Sequence, residues 1–340
     1  MNILGLQYHN DDYFHDASAA LYSNGKISMY EEDRFNRIKH SPCVFPYNSI
    51  YKLLFDANLN ITDIDIIVLP LKVDEKTVEN NINRYFMSNK KYNFLHCDHH
   101  LSHFINSYSQ SKFNNAAGIV IDADGDNYNS ISIFDAVSNN IKCIKSFSTE
   151  QSLGQFYQTA AEYCGFGRFG EGKLMGLAAF GNSLKNHFLK WDDKTNNIDT
   201  LIYNNIKRKH QLIIKNNCKS KELIKYLYNK PISNLNDFFK KTFYPYKKCM
   251  HNDEIIYYKD FAATIQDNYN TILLKLIEYT KKLTGKNNLV LSGGCIQNCI
   301  GNNLIIKSGL FENVFCSSVS HDSGISLGNA IFGSGNFCNN

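Results

Sequence analysis

Residues 2–31 of the chain read NILGLQYHNDDYFHDASAALYSNGKISMYE, and the fold class follows from the pattern within this stretch. The apolar run at 2–8 predicts a short strand, and the run at 17–22 predicts a second strand. The sequence Ser-Asn-Gly-Lys at 23–26 predicts a tight turn, because its glycine accepts a positive φ. Residues 27–31 then return as a third strand, so the chain opens with three strands joined by hairpins.

Downstream of this stretch the sequence predicts a helix at about 46–58 and a strand at 64–69. The resulting β-β-β-α-β order is the repeating unit of the actin-like ATPase lobe. A second copy of the order follows, with predicted strands and a helix at 117–121, 130–134, 141–147 and 152–164. We therefore expect an α/β protein with two duplicated actin-like lobes, of the ASKHA, ribonuclease-H-like class, around a central cleft.

The repeat also predicts where the lobes begin and end. Residues 1–113 form the first expected lobe and residues 114–322 the second, while residues 323–340 are a candidate to pack back onto the first. Residues 183–258 are rich in Lys, Asn and Tyr, which predicts a polar helical insertion in the second lobe. Ligands of such α/β sheets bind at the carboxyl ends of the strands, so we expect the functional residues in the cleft.

Composition narrows the function classes. The 340 residues are 43% hydrophobic and 20% charged, which is typical of a globular protein. A net charge of +4 does not by itself indicate nucleic acid, which we regard as an unlikely partner. The ten cysteines include no C-x-x-C pair, so neither a disulfide framework nor a zinc ribbon is indicated. With no signal peptide or long apolar run, we expect a cytoplasmic protein without a membrane partner.

The strongest chemical signal is the stretch His96-Cys97-Asp98-His99-His100-Leu101-Ser102-His103. His99 and His103 are one helical turn apart, so both imidazoles can reach one metal ion. Two imidazoles leave a divalent metal under-ligated, and our candidate for the third ligand is Asp322. Two histidines and a carboxylate suit Fe(II), and Zn(II) or Mn(II) also fit. An isolated H-x-x-x-H is more often an ordinary helix face, so the other motifs decide.

Glycine-rich stretches indicate nucleotide binding. Gly293 and Gly294 follow the apolar strand predicted at 289–291 and precede a helix, where free backbone N–H groups can meet a phosphate. Asp124-Gly125 forms a matching loop at the end of another strand. A third glycine-rich loop, at 170–176, carries Glu171 for ribose hydroxyls and Lys173 for a phosphate. Any one of them could be a plain turn, but three in corresponding places favour nucleotide binding.

Together these stretches resemble the O-carbamoyltransferase family, which includes the nodulation-factor and tobramycin-type carbamoyltransferases. The matching motifs are H-D-A-S-A-A-L at 15–21, E-E-x-R-F-x-R-x-K-H at 31–40, H-H-L-x-H at 99–103, D-G at 124–125, S-L-G-x-x-Y at 152–157, E-G-K-x-M-G-L-A at 171–178, G-G-x-x-x-N-C at 293–299 and D-x-G-x-x-L-G at 322–328. They cover nearly the whole chain in the family's order, so the resemblance is specific.

The resemblance implies an enzyme that binds a divalent metal and carbamoyl adenylate, and transfers the carbamoyl group to an acceptor hydroxyl while AMP leaves. It implies that His99, His103 and Asp322 hold the metal. By its match, His15 is the candidate to assist proton removal from the acceptor, and Lys39 to stabilise the charge that develops on the leaving phosphate or carbonyl oxygen. The implied nucleotide-binding residues are Asp124, Gly125, Glu171, Lys173, Gly293, Gly294 and Asn298.

The chain also departs from the family pattern. Familiar members continue into a C-terminal part with a YrdC-like domain that makes carbamoyl adenylate from carbamoyl phosphate and ATP, whereas this sequence stops at Asn340. We expect a truncated chain, a separate YrdC-like carbamoyl adenylate synthase as partner, or a different donor. The acceptor stays open between a small molecule and a glycan.

Two other functions compete with this interpretation. The related tRNA threonylcarbamoyl transferases share the lobes and the two-histidine helix, but they typically place Glu-Gly where Leu101-Ser102 stand here. Binding of tRNA with steep salt dependence would favour that alternative. The other alternative is a non-catalytic nucleotide-binding subunit, which the intact set of motifs disfavours.

Overall fold

The computed structural model describes residues 1–9, 15–167, 169–184, 187–199 and 252–337. Most of the predicted insertion at 183–258 lies outside these described residues. The chain forms two compact units: the first comprises Met1–Ser146, Leu283–Gln297 and Phe311–Asn340, and the second comprises Phe147–Lys282 and Asn298–Leu310. The lobe boundary between residues 113 and 114 refers to the sequence repeat and stays a prediction.

The described elements are numbered in chain order. The strands are β1 (Asn2–Gln7), β2 (Ser18–Ser23), β3 (Lys26–Glu31), β4 (Ile66–Pro70), β5 (Asn93–Cys97), β6 (Asn115–Ile121), β7 (Asn129–Val137), β8 (Asn140–Ser148), β9 (Lys190–Asp192), β10 (Asn197–Asp199), β11 (Asn288–Ser292) and β12 (Asn313–Cys316). The helices are α1 (Asp33–Asn36), α2 (Tyr47–Ala57), α3 (Glu75–Phe86), α4 (His99–Ser111), α5 (Leu153–Tyr163), α6 (Glu171–Ala178), α7 (Asn252–Thr284), α8 (Cys299–Ser308) and α9 (Gly324–Ser334). None of the helices found in the described residues is long and apolar enough to cross a bilayer.

The first five-stranded sheet has the order β3-β2-β1-β4-β5. Its first three strands pair antiparallel, and β4 and β5 add in parallel. Leu4, Leu6 and Leu21 alternate along their strands, as period-two packing requires, and they share one buried core with Ile50 and Leu53 of α2. The predicted β-β-β-α-β order is confirmed, and the turn between β2 and β3 has positive φ at Asn24 and Gly25.

The second five-stranded sheet has the order β12-β11-β6-β7-β8. Here β6 pairs antiparallel with β7, whereas β11 pairs in parallel with both β6 and β12. Its strands therefore repeat the order of the first sheet, with a hairpin-connected side and a parallel side. This repetition confirms the predicted duplicated actin-like fold.

Within the first unit, α9 packs closely against β1 and α4. A Cβ on Gly5 of β1 would lie 2.1 Å from the Ser326 carbonyl oxygen of α9. A Cβ on Gly328 would lie 2.0 Å from the Ser102 carbonyl oxygen of α4, so only glycine permits this approach. Ser102 also donates a hydrogen bond to Asn329. The loop that precedes α9, which carries Asp322, is therefore held beside the first turns of α4.

The second unit is built around α7. Phe261, Ile265, Tyr269 and Leu276 recur at helical spacing and are fully or almost fully buried, so they form the apolar face of this helix. Leu283, near the end of the helix, is 42% exposed. Gly285 follows with a φ of 64°, as expected for a helix stop.

Candidate metal centre and its surroundings

Two side-chain carboxylates fix the first turn of α4 by accepting hydrogen bonds from its backbone N–H groups. Asp98 is the N-cap and accepts a hydrogen bond from the Leu101 N–H at 3.0 Å. Asp126, from the loop after β6, accepts one from the His99 N–H at 2.9 Å. These two carboxylates stabilise the positive end of the helix dipole and fix the start of the helix. The rings of His99 and His103 then lie edge to face, with centroids 4.8 Å apart.

Two carboxylates meet this histidine pair. Asp122 immediately follows β6, and Asp322 lies in the loop between β12 and α9. His103 Nε2 is 3.0 Å from Asp122 Oδ2 and 3.3 Å from Asp322 Oδ1, and His99 Nε2 is 3.4 Å and 3.8 Å from the same two atoms. One ligand atom from each of the four side chains lies within 4.8 Å of the other three. The structure thus brings Asp322 to the histidines, and it adds Asp122, which the sequence reasoning missed.

The donor set fits a divalent cation. His103 is fully buried, and its Nε2 makes no hydrogen bond of good geometry within the described chain, although two carboxylate oxygens lie close to it. Imidazole nitrogens and carboxylate oxygens that converge on one point form the usual first coordination sphere of Fe(II), Zn(II) or Mn(II). These four residues are therefore able to hold such an ion.

The charges of this cluster favour a positive species at its centre. Burial lowers the pKa of His103, but Asp122 and Asp322 more than offset this effect and raise the pKa to about 9. Burial raises the pKa of Asp122, yet contacts with His103 and His99 hold it well below its ordinary value. A divalent cation would supply the positive charge that protons otherwise provide, and its binding would release those protons.

A second cluster joins His15, Asp16 and His40. His15 Nδ1 lies 2.8 Å from Asp16 Oδ2, and His40 Nδ1 lies 2.8 Å from Asp16 Oδ1. Burial lowers the pKa of His15, but the hydrogen bond to Asp16 and the charges of Asp322, Asp16 and Asp122 raise it to about 9. Burial raises the pKa of Asp16, and its two histidine partners lower it far below its usual range. Sequence reasoning singled out His15 but neither of its partners.

Lys39 directly precedes His40 and lies exposed. Across the ranges that the structure describes, its ammonium forms no ion pair with a carboxylate. The structure therefore brings His15 into a defined cluster but leaves Lys39 at the surface beside it.

The predicted glycine pair lies next to the metal centre. Gly293 has a φ of 93°, and a Cβ there would lie 2.3 Å from the Ile121 carbonyl oxygen. A Cβ on Gly294 would lie 3.3 Å from Asp122 Oδ1, so β11 ends beside the end of β6. Asp124 is exposed in the loop after Asp122. Gly293, Gly294 and the Asp124-Gly125 loop thus surround one side of Asp122.

In the second unit, the prediction of a glycine-rich loop at 170–176 is wrong, because most of this stretch is helical. Residues 171–178 form helix α6, which buries Leu174 and Ala178 on one face four residues apart. Glu171 is the first residue of this helix, and Lys173 lies in its first turn.

The side chain of Asn298 is already engaged within the second unit. It caps α8 by accepting from the Gly301 N–H at 2.9 Å. It also exchanges hydrogen bonds with Gln266, which in turn accepts from the Tyr157 hydroxyl. These contacts make Asn298 a structural part of the second unit.

Comparison with curated sequences reveals distant relatives. The nodulation protein NolNO of Sinorhizobium fredii NGR234 is 25% identical over 347 residues, which cover 94% of this chain and 46% of that protein. The nodulation protein NolO of Bradyrhizobium diazoefficiens is 26% identical over 236 residues, or 69% of this chain and 37% of that one. The chain spans about half the length of the curated relatives it matches.

Solved structures share the fold at low sequence identity. Full-length HypF in its phosphate- and nucleotide-bound form has a TM-score of 0.58 and 13% identity, covering 98% of this chain and 55% of that one. Component A of the (R)-2-hydroxyglutaryl-CoA dehydratase of Acidaminococcus fermentans has a TM-score of 0.51 and 12% identity, covering 99% and 98%. The family model described as "Carbamoyltransferase N-terminus" matches residues 81–331. Since this match covers most of the chain and includes all four residues of the candidate metal centre and both glycines beside it, the protein belongs to the carbamoyltransferase N-terminus family.

Proposed function

We propose that this chain transfers a carbamoyl group from carbamoyl adenylate to a hydroxyl group of a small-molecule or glycan acceptor. One observation carries the proposal: His99, His103, Asp122 and Asp322 converge at one point, next to a glycine pair suited to a phosphate, in a chain of the carbamoyltransferase family. A plain nucleotide-binding subunit has no need for two histidines and two carboxylates that converge at that point.

The reaction exchanges one bond at the carbamoyl carbon for another. The acceptor oxygen attacks this carbon and forms a C–O bond, and the bond from the carbon to the phosphate oxygen breaks. AMP leaves with that electron pair, while the acceptor proton moves to a base. The products are a carbamate ester, AMP and one proton.

Two residues of the first unit are assigned to this step. His15 takes the acceptor proton, which requires its imidazole to be neutral when the acceptor binds. Lys39, exposed beside His40, supplies positive charge to the leaving phosphate or to the carbonyl oxygen.

In this proposal the candidate metal centre acts on the carbamoyl donor, carbamoyl adenylate. A divalent ion held by His99, His103, Asp122 and Asp322, most simply Fe(II) with Zn(II) or Mn(II) as alternatives, would supply Lewis-acid chemistry toward phosphate and carbonyl oxygens. Asp126 and Asp98 hold the amides of the first turn of α4, so the two imidazoles keep their positions. This preorganisation means that little rearrangement is needed when the donor binds.

The remaining predicted residues are assigned to the nucleotide. Gly293, Gly294 and Asp124-Gly125 present backbone beside Asp122, where phosphate oxygens can approach closely. Within the second unit, Glu171 and Lys173 of α6 are the candidates for binding a ribose and a phosphate, and Asn298 caps α8 in the same unit.

The test supplies carbamoyl adenylate, made in place by a separate synthase, to the metal-loaded chain together with candidate hydroxyl acceptors. AMP release and a mass increase of one carbamoyl group on the acceptor are the expected results. The matched control is His103→Asn, which removes Nε2 from the metal centre but leaves the fold to be checked by circular dichroism. Acceptor carbamoylation that is equally fast without the chain, or with His103→Asn, contradicts the proposal.

A further inference from the structure

Outside the metal centre, one buried carboxylate is held by two imidazoles. Asp16 is 8% exposed, and each of its oxygens lies 2.8 Å from the Nδ1 atom of a different histidine, Oδ2 from His15 and Oδ1 from His40. The two rings are 6.0 Å apart and nearly perpendicular. His15 and Asp16 precede β2, whereas His40 lies in the segment between α1 and α2. Two separate parts of the first unit therefore meet at this carboxylate.

The backbone at this meeting point is strained. Asp16 has a φ of 61° and His40 a φ of 65°, and Ser41 follows with 36°. Non-glycine residues rarely adopt such angles, and they keep them where the surrounding structure enforces them. Here the Asp16 N–H donates to the His40 carbonyl oxygen at 2.5 Å, so His40 holds Asp16 by its backbone as well as by its ring.

The geometry favours hydrogen bonds over a cation at this cluster. A cation would require the two Nδ1 atoms to turn toward a shared point, whereas each faces its own oxygen of the same carboxylate. Because an ionised carboxylate only accepts, both Nδ1 atoms must carry a proton. In each imidazole the proton-accepting atom is then Nε2.

We propose that Asp16, braced by His40, is a positioning residue that holds His15 with its proton on Nδ1, so that Nε2 is the atom that takes the acceptor proton. This inference rests on the proposed function for the role of His15, but the tautomer itself does not depend on any activity. Asp16 also stabilises the imidazolium that forms when Nε2 accepts the proton, as a carboxylate does beside a catalytic histidine in hydrolases. His40 matters because it holds the carboxylate in the orientation that reaches His15.

The tautomer is measured by ¹H–¹⁵N correlation spectra of the zinc-loaded full chain labelled with ¹⁵N-histidine, from pH 6 to 10. His15→Gln and His40→Gln identify the two sets of ring signals. We expect the neutral form of His15 to carry its proton on Nδ1 in the wild type and to lose that preference in Asp16→Asn. A neutral His15 protonated on Nε2 in the wild type, or one whose tautomer is the same in Asp16→Asn, overturns the proposal.

Activity supplies the second measurement, with AMP release from carbamoyl adenylate as the readout. Asp16→Asn is expected to lower kcat by about 100-fold or more with little change in KM. His40→Asn keeps an N–H donor in the Nδ1 position and should retain at least about tenfold more activity than His40→Ala, which removes the donor. His96→Asn is the matched control, because His96 lies outside both clusters.

Bound zinc serves as the check on folding, since its ligands belong to the other cluster. Asp16→Asn is expected to retain the zinc content of the wild type. A kcat for Asp16→Asn within threefold of the wild type contradicts the positioning role. A wild type that releases no AMP contradicts the proposed function, and the tautomer measurement then decides this inference alone.

Discussion

His103 Nε2 lies 3.0 Å from Asp122 Oδ2, although one residue belongs to a helix and the other to the end of a strand. The contact exists because β6 follows α4 directly and runs back past it to the start of the helix. Asp122 is the first residue beyond β6, so its carboxylate emerges where the two imidazoles point. The candidate metal centre is therefore built from consecutive elements, α4 and β6, with Asp322 added from much later in the chain.

Asp122→Asn is expected to weaken divalent-metal binding by about 10- to 100-fold, because it removes one anionic oxygen from the set. The measurement is metal content after dialysis, followed by competition with a chelator. Asp124→Asn is the matched control, since this carboxylate lies in the same loop but is exposed and outside the cluster. Equal metal affinity in Asp122→Asn and the wild type contradicts its assignment as a ligand.

His100 predicts a pH dependence of stability. The ring is 2% exposed, and its Nδ1 lies 2.7 Å from the Ser132 hydroxyl. Burial, together with the neighbouring His99, lowers its pKa to about 3, from the 6.5 of an exposed histidine. At a pH between about 3 and 6.5, the His100 ring is protonated in the unfolded chain but not in the folded chain. His100 therefore makes the folded state lose stability as the pH falls below about 6.5.

The matching experiment is urea unfolding of metal-free protein between pH 4 and 6. His100→Asn removes the titrating ring, and its stability should fall less steeply with decreasing pH, by up to about 1.4 kcal/mol per pH unit. His96→Asn, at a partly exposed histidine, serves as the control. The same slope in His100→Asn and the wild type would show that His100 is not held neutral.

Two glycine substitutions should change stability in opposite directions. A Cβ at Gly5 meets backbone atoms of α9 at 2.1 Å and 2.4 Å, which cannot move independently of the helix. Gly5→Ala should therefore destabilise the first unit by about 3 kcal/mol. Gly176, inside α6, has no atom within 4 Å of the position of a Cβ, and Gly176→Ala should stabilise the second unit by about 0.5–1 kcal/mol. Urea denaturation of both variants measures the two effects, and a neutral Gly5→Ala contradicts the close packing of α9.

The sequence was sufficient for the fold and for part of the metal centre. Alternating apolar residues and the Asn24-Gly25 turn are local signals, so the ends of the strands predicted above agree with the structure to within three residues. The spacing of His99 and His103 is equally local. The sequence identifies Asp322 only as a candidate ligand, because no local pattern indicates which distant carboxylate folds back onto the helix.

The residues that were missed depend on strand register and backbone angles. The stretch Asp122-Ala123-Asp124-Gly125-Asp126 offers three carboxylates, and its sequence does not show which of them reaches the histidines. In the structure Asp122 lies beside the imidazoles, Asp126 accepts a hydrogen bond from the His99 N–H, and Asp124 is exposed. Asp16 lies beside both of its histidines in a backbone in which Asp16 and His40 have positive φ. Non-glycine residues rarely adopt positive φ, so the sequence does not predict this arrangement.

The pH profile of AMP release reports on His15. A base must be neutral to act, so the rate should rise with pH until His15 has lost its proton. Without a metal ion, Asp16, Asp322 and Asp122 outweigh burial and raise the pKa of His15 to about 9. A divalent cation between Asp122 and Asp322 offsets two of these three charges, so the midpoint of the metal-loaded enzyme should lie below 9. Asp16→Asn removes the third charge and should move the midpoint lower still, while it also lowers the plateau. His15→Gln should abolish this rise, and a wild-type rate that is flat from pH 6 to 10 would exclude His15 as the base.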